Sequence, residues 1–390
     1  MEILHTIGCL SAELGGLSVC TYNLLSAMNS RQANDSVNVS IFTPQPRLAG
    51  EYLLGNEEWI SSVENDCISH FEYSSNIRKW LKNSKYDLYH TNGVWLYINH
   101  ITCKTARRKN IPYIISTHGM LYSEALQRSY WKKLPFRLLF FDRDVANATC
   151  IHATCKKEME EVRNFGYKGP IAVIPNPTYH PDYLDQVYAE RLAFIESSYP
   201  KRFGYLGRLH PIKKVENIIY ALAEVSKTKS CELVIMGKGD DGYENFLKSE
   251  VKRLGLQNVF FCGFVSGREK YEQLSKLSCL FVPSDFENFG MVVTEALSVG
   301  VPVMASLGTP WKELNTEKCG WWRDSHVENI ADVMMQTLET PVNTLKQMGE
   351  RGRRLVVEKY SAEKIADDMA ELYKWIIKGG EKPEFVYEMR

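Results

Sequence analysis

The sequence lacks three things that would decide its class at once: net charge, clustered cysteine and long apolar runs. Its 47 basic and 47 acidic side chains cancel over 390 residues. That argues against bulk binding to nucleic acid, which usually needs a basic surface. The ten cysteines are scattered with no CxxC pair, and a zinc site needs four well-placed ligands, so neither a metal nor a disulfide role is expected of them. Cys262 and Cys279 lie in the apolar runs Val-Phe-Phe-Cys-Gly and Cys-Leu-Phe-Val, and both read as buried free thiols that pack as small hydrophobes. No uninterrupted apolar stretch approaches the ~20 residues needed to span a bilayer. The opening Met-Glu-Ile-Leu-His-Thr-Ile-Gly has neither the basic nor the long apolar part of a signal peptide, so a cytoplasmic location is expected. A hydrophobic fraction of 44% and a charged fraction of 24% are ordinary for a globular chain. The length suits two domains of similar size, or three small ones.

What is present is an alternation of short apolar strands with amphipathic helices, which predicts an α/β protein with parallel sheets covered on both faces. Strands are expected at Glu2–Ile7, Val37–Phe42, Asp87–His90, Tyr113–Thr117, Cys150–Ala153 and Ile171–Ile174. The run Pro175-Asn-Pro-Thr-Tyr-His-Pro-Asp-Tyr breaks regular structure and is the candidate linker. The alternation restarts at Arg202 and continues through Glu232–Met236, Val259–Cys262, Cys279–Val282 and Pro302–Ala305, with a helical stretch from Val327 to Lys378. Two such series imply two doubly wound, Rossmann-like domains facing across a cleft, with ligands beyond the carboxyl ends of the strands.

Two patterns look like chemistry and are set aside. Gly237-Lys-Gly-Asp-Asp-Gly242 has the GxGxxG form of a dinucleotide loop. Asp240 and Asp241 would put negative charge beside a pyrophosphate, and the acidic residue expected ~20 positions on is missing. Asp142-Arg-Asp144 has D-x-D spacing but falls in a predicted helix rather than at a strand end, which reads as a solvated helical face.

The stretch Pro283-Ser-Asp-Phe-Glu-Asn-Phe-Gly-Met-Val-Val-Thr-Glu-Ala-Leu297 carries more. It runs from a strand end through a loop carrying Glu287 into a helix carrying Glu295. A helix N-terminus attracts phosphate through its free N–H groups and partial positive charge. Carboxylates beside it can accept hydrogen bonds from hydroxyls of the same ligand. That suits a nucleotide sugar, and it equally suits a solvated helix start whose acidic residues offset the dipole.

Glu287 and Glu295 also form the E-x7-E spacing, in an E-x-F-G context, that resembles retaining glycosyltransferase family 4. Other segments agree in chain order: Gly15-Gly16-Leu17 after the first strand, Ser116-Thr-His-Gly-Met120, and Gly207-Arg208-Leu209-His-Pro-Ile-Lys213. Thr309-Pro-Trp311 with Cys319-Gly-Trp-Trp322 resembles a subgroup among bacterial surface-polysaccharide transferases (O-antigen, capsule and exopolysaccharide). The resemblance covers nearly the whole chain and implies the GT-B architecture. On it, residues 1–178 bind the acceptor, residues 179–358 bind the donor, and the C-terminal helix of residues 361–390 returns to the first domain.

The resemblance also implies roles. Arg208 and Lys213 would bind the donor diphosphate and neutralise charge on the leaving group; Lys214 leaves open which lysine meets the phosphate. Glu295 would hold ribose hydroxyls and Glu287 hydroxyls of the transferred sugar. Phe289, Gly290, Met291 and Val292 would line the sugar and phosphate, chiefly through backbone N–H groups. Gly15 and Gly16 would let the backbone approach the phosphate, and Gly237 and Gly239 would form the loop beneath the nucleoside. His118 would sit near the reacting carbon. The implied reaction moves a hexosyl-type sugar from a UDP- or GDP-linked donor to a saccharide acceptor with retained configuration, and without a metal or other cofactor. Two alternatives share these features: another nucleotide-sugar enzyme such as an epimerase, and a non-catalytic sugar-nucleotide-binding subunit.

From Lys104 to Asp144 nine basic and three acidic residues leave a net charge of +6, interleaved with Tyr130, Trp131, Phe136, Phe140 and Phe141. A basic, aromatic helix can rest on an anionic membrane, with Lys132, Lys133 and Arg137 as the contacts. A solvated basic face over an aromatic core is the equal reading. The first would fit a lipid-linked acceptor and peripheral contact with the cytoplasmic face of an inner membrane.

Overall fold

A computed structural model describes residues 1–11, 16–30, 37–46, 52–128, 130–197 and 202–389, with the backbone alone for Lys132, Glu196 and Ser197. The chain divides into two compact units, Met1–Pro177 with Ala362–Arg390, and Thr178–Ser361.

The first unit holds β1 (Glu2–Ile7), β2 (Asn38–Pro44), β3 (Ile60–Val63), β4 (Leu88–Asn92), β5 (Tyr113–Ser116), β6 (Cys150–Ala153) and β7 (Ile171–Val173). They lie in the order β7-β6-β5-β4-β1-β2-β3, all parallel, and a terminal strand, Val386–Tyr387, pairs antiparallel on the outer edge of β7. Nearly every residue of β1, β4, β5 and β6 is buried, as a sheet covered on both faces requires. The helix Ala362–Lys378 belongs to this unit. It buries Ile365, Met369 and Leu372 in one core with Leu24, Leu25 and Met28 of the helix Gly16–Ser30.

The second unit holds β8 (Arg202–Leu206), β9 (Glu232–Met236), β10 (Val259–Gly263), β11 (Cys279–Val282), β12 (Val303–Ala305) and β13 (Gly320–Trp322), ordered β10-β9-β8-β11-β12-β13 and all parallel. Strand order reverses at β1/β4 in the first sheet and at β8/β11 in the second. Those switch points are where open α/β sheets leave room for a ligand.

Several features differ from, or refine, the sequence expectation. β3, β13 and the terminal strand are only two to four residues long, too short for a period to announce them, and β3 carries Ser61 and Ser62 at its centre. The stretch 327–378 is three helices, Val327–Glu339, Val342–Leu355 and Ala362–Lys378, divided at Pro341 and again before Ala362. Cys262 is exposed, as is Phe260 on the same face of the edge strand β10; Cys279, on central β11, is buried.

Candidate functional site

The second unit's switch point gathers the charged residues of the two loops that follow β8 and β11. After β8, Gly207 leads to exposed Arg208, whose carbonyl accepts a hydrogen bond from buried Tyr205 at 2.9 Å. His210 caps a short turn, Pro211–Lys213, by accepting from the Ile212 N–H at 3.2 Å. After β11, the Asp285 N–H donates to the Ile212 carbonyl at 2.9 Å and the Glu287 N–H to the Gly308 carbonyl at 3.2 Å. The second loop is thereby clamped to the first, and Lys213 meets Glu287 in an ion pair with side chains only 17% and 18% exposed. Ser284 donates to the same Glu287 carboxylate at 3.3 Å. Lys214 adopts a left-handed backbone and pairs with Asp285 at 3.4 Å.

Gly290 then starts the helix Met291–Ser298 at φ +81°, a conformation that favours glycine. Beneath it, the Trp311 indole donates to the Phe289 carbonyl, and both rings are buried. Met291 and Val292 are half-buried in the first turn. Glu295, one turn on, pairs with Lys270 at 2.7 Å. Sequence reading missed Lys270, because it reaches Glu295 from the separate helix Gly267–Ser275. A polar cavity of about 580 Å³ opens beside these loops, lined by Lys214, Ser284, Asp285, Ser306 and Gly308 among others. A larger one, about 790 Å³, lies at the amino ends of β1 and β4 around Glu2 and Tyr86, the wrong end of the sheet for a doubly wound ligand site.

Gly237 and Gly239 follow β9 and lie against the β8 loop. A Cβ on Gly237 would strike the Gly207 carbonyl, and one on Gly239 the Leu209 carbonyl. Asp240 caps the next helix by accepting from the Tyr243 N–H at 2.9 Å. The GxGxxG form is thus a packing and capping device.

In the first unit Gly16 opens the helix after β1; Gly15 lies outside the described residues. His118 follows β5 in a tight turn at φ +46°, unusual for a non-glycine residue. Buried Glu158, on the helix Lys156–Phe165, holds that turn. One carboxylate oxygen accepts from Thr117 Oγ1 at 2.6 Å and from the Gly119 N–H, and the other accepts from the Thr154 N–H and Oγ1, both at 2.7 Å. In sequence Glu158 looks like an ordinary first-turn acid, and nothing there tells that one oxygen reaches across to residue 119. His118 Nε2 lies 3.4 Å from Asn92 Oδ1. Burial, and then the neighbouring His152 and His5, push the His118 imidazole down to about 3, so it is neutral at physiological pH.

Two of the three cations the sequence suggested as membrane contacts, Lys133 and Arg137, are engaged within the protein. Lys133 lies over the Trp95 ring and donates to the Ala125 carbonyl, and Arg137 pairs with Asp142 at 3.1 Å over Phe165. The Lys132 side chain lies outside the description. Phe136, Phe140 and Phe141 pack round Phe71, whereas Trp131, Leu138 and Leu139 are 81%, 73% and 67% exposed. A pocket of about 390 Å³ is lined by Leu139 and Phe140 together with Lys104, Arg107, Arg108 and Arg143. Asp144 is no part of a solvated face: it is buried against His100 at 2.7 Å and Arg107. Among the described residues no three His, Cys, Asp or Glu side chains are grouped as metal ligands, and no helix is long and apolar enough to cross a membrane.

Residues 14–179 match the family described as Glycosyltransferase Family 4, and residues 192–355 match Glycosyl transferases group 1. An uncharacterised glycosyltransferase of Methanocaldococcus jannaschii is 29% identical over 177 residues, 45% of either chain, so the match spans about half of that relative. A GDP-mannose:cellobiosyl-diphosphopolyprenol alpha-mannosyltransferase of Xanthomonas campestris is 23% identical over 328 residues, 81% of each chain. Among solved structures, Anabaena HepE in complex with UDP and glucose superposes with a TM-score of 0.70 at 16% identity, covering 96% of this chain and 99% of that one.

Proposed function

The chain belongs to glycosyltransferase family 4, with the GT-B fold, and from that premise we propose that it moves a hexosyl-type sugar from a UDP- or GDP-linked donor to a saccharide acceptor, retaining configuration. One observation carries the reading: Lys213 and Glu287 are held as a pair beside the first turn of the Gly290 helix, at the β8/β11 switch point. A cation for phosphate, a carboxylate for hydroxyls and free helix N–H groups stand together there, as a nucleotide sugar requires.

In this reading Arg208 and Lys213 bind the diphosphate and stabilise the leaving group. Lys213 takes that role rather than Lys214, because it is the lysine beside Glu287. Glu287 holds sugar hydroxyls, and Glu295 holds the ribose once it exchanges Lys270 for hydroxyl donors. Phe289, Gly290, Met291 and Val292 line sugar and phosphate, with Gly237 and Gly239 beneath the nucleoside. Gly16, with Gly15, admits the phosphate, and His118 accepts from a hydroxyl of the transferred sugar. The departing phosphate takes the acceptor's proton, so no paired base is required and no metal enters the scheme.

A thermal-shift panel of UDP, GDP, ADP and their sugars, with Mg²⁺ and with EDTA, tests the donor. A nucleotide at 100 times its dissociation constant adds about 2.7 kcal/mol of stability, and Glu295→Ala abolishes most of that gain. If no nucleotide stabilises the protein under either condition, the donor assignment fails. Stabilisation without turnover of any donor would favour a binding subunit.

The acceptor is lipid-linked in this proposal and belongs to surface-polysaccharide assembly, which brings the protein to the cytoplasmic face of the membrane. Support comes from the exposed Trp131, Leu138 and Leu139, the last of which lines the pocket with Lys104, Arg108 and Arg143, an arrangement suited to acyl chains and anionic headgroups. Co-sedimentation with anionic phospholipid vesicles should drop severalfold in a Trp131→Ser, Leu138→Ser, Leu139→Ser variant. It should change little in Lys133→Ala, whose ammonium is engaged internally. Equal pelleting of wild type and the triple variant would end the membrane proposal.

A further inference from the structure

The first unit buries a run of polar side chains that the proposed reaction does not use: His5 on β1, His90 and Asn92 on β4, Ser116 on β5, His152 on β6 and Tyr373 on the helix Ala362–Lys378. Their hydrogen bonds have only one consistent direction. The Ile174 carbonyl can only accept, so His152 Nε2, 2.8 Å away, carries a proton. His152 Nδ1 is then the acceptor for the Ser116 hydroxyl at 2.7 Å, and Ser116 accepts from His90 Nε2–H at 2.6 Å. His90 Nδ1 accepts from the Tyr373 hydroxyl at 2.8 Å, and Tyr373 accepts from His5 Nε2–H at 2.7 Å. His5 Nδ1 accepts from the Asn92 amide at 3.2 Å. The other hydrogen of that amide goes to the Thr6 carbonyl at 3.3 Å, so the Asn92 oxygen faces His118 Nε2 at 3.4 Å. Every donor meets an acceptor, as buried polar groups require.

We propose that Asn92, His5 and Tyr373 are positioning residues for His118: their one-way run of hydrogen bonds holds its ring as the Nε2–H tautomer, leaving Nδ1 to accept from a substrate hydroxyl. The proposal rests on the transferase reading only in giving His118 a substrate. A purely structural network would need no directed end. This one ends on a partly buried imidazole whose own backbone is in the left-handed region and clamped by Glu158 on both sides. The groups facing His118 are Asn92 from β4, His5 from β1, His152 from β6 and the Glu158 carboxylate behind the turn. Burial keeps the imidazoles neutral: His5 is pushed down to about 3, and His90 and His152 are lowered in the same direction.

The test uses the full chain labelled with ¹⁵N-histidine, because long-range ¹H–¹⁵N spectra report which ring nitrogen carries hydrogen without reference to activity. At pH 7.5 His118, His5, His90 and His152 should all appear as neutral Nε2–H tautomers. Asn92→Asp replaces a donor by a group that can only accept. It should protonate or reorient His5 and favour the charged form of His118. With the best donor, kcat of the wild type should be flat from pH 6 to 8. In Asn92→Asp it should rise with pH by about tenfold across that window, with donor KM little changed. Tyr373→Phe removes the hydroxyl that joins His5 to His90, and should cost about tenfold in kcat and perturb the His5 and His118 signals. A wild-type His118 protonated on Nδ1 overturns the proposal, and so do His118 signals and pH profiles unmoved by both variants. If the tautomers behave as stated while the wild type turns over no donor, the hydrogen-bond run stands and the transferase reading is what has failed.

Discussion

Lys213→Ala should lower kcat on the nucleotide sugar by about 10²–10³-fold, the usual cost of removing one preorganised group that stabilises developing charge. The loss should fall on kcat more than on donor KM, because charge on the leaving diphosphate grows towards the transition state. The variant also leaves Glu287 without its cation. With the two side chains 17% and 18% exposed, solvent screens part of that cost, and the stability penalty should be about 1 kcal/mol. Lys213→Ala/Glu287→Ala separates the two effects. The double variant should recover the stability lost in Lys213→Ala and recover none of the turnover. Arg208→Ala supplies the contrast, since Arg208 is exposed and its removal should reduce turnover with almost no change in unfolding midpoint. Steady-state kinetics beside urea unfolding make the comparison. Full kcat in Lys213→Ala would remove the lysine from the reaction and leave the ion pair a structural clamp between two loops.

Acidification should destabilise the protein well before its carboxylates titrate. His5 is fully buried and neutral, with its folded value near 3 against about 6.5 when unfolded. Below pH 6.5 the unfolded chain takes up a proton that the folded chain refuses, so stability is lost as pH falls from 6.5 towards 3 and is complete above it. At pH 5 His5 alone accounts for about 2 kcal/mol. His90, His152 and His118 are shifted in the same direction and add to it. Urea unfolding at pH 7.5 and 5.0 should therefore show a marked drop in midpoint. The loss should be carried by the first unit, which holds all four imidazoles. Equal stability at the two pH values would mean that these rings are charged or solvated in the folded protein. It would also undercut the directed hydrogen-bond run that depends on their neutrality.

Much of the fold was legible because it depends on local periodicity. The runs Leu233–Met236 and Cys279–Val282 are continuously apolar, and Glu2–Ile7 and Cys150–Ala153 mostly so, as strands of a sheet covered on both faces are. The helix at Met291 announced itself through Gly290 and the strand before it. Ile365, Met369 and Leu372 recur at helical spacing and are buried together. β3 and β13 escaped because three or four residues are too few to show a period, and β3 has two serines at its centre; Cys262 looked buried because its neighbours are apolar, although edge position decides its exposure.

The motif residues Arg208, Lys213, Glu287 and Glu295 were likewise visible in the chain, because loop and helix-start chemistry is written within a few residues. Their partners were not. Lys270 against Glu295, Glu158 against Gly119, and Asn92 against His118 join residues 25, 39 and 26 positions apart. Their meeting depends on strand order and on which helix covers which face. The basic segment shows the same division: its charge and aromatic content could be counted from the sequence, but only packing turned Lys133 and Arg137 inward and left Trp131, Leu138 and Leu139 in solvent. The sequence by itself determined the family, the two parallel sheets and the residue types available for chemistry, since these follow from short-range pattern. Tertiary structure alone decided which charges are paired, which way the buried protons point and which face is apolar. Those are properties of groups brought together across the sheet, where distance in the chain carries no information.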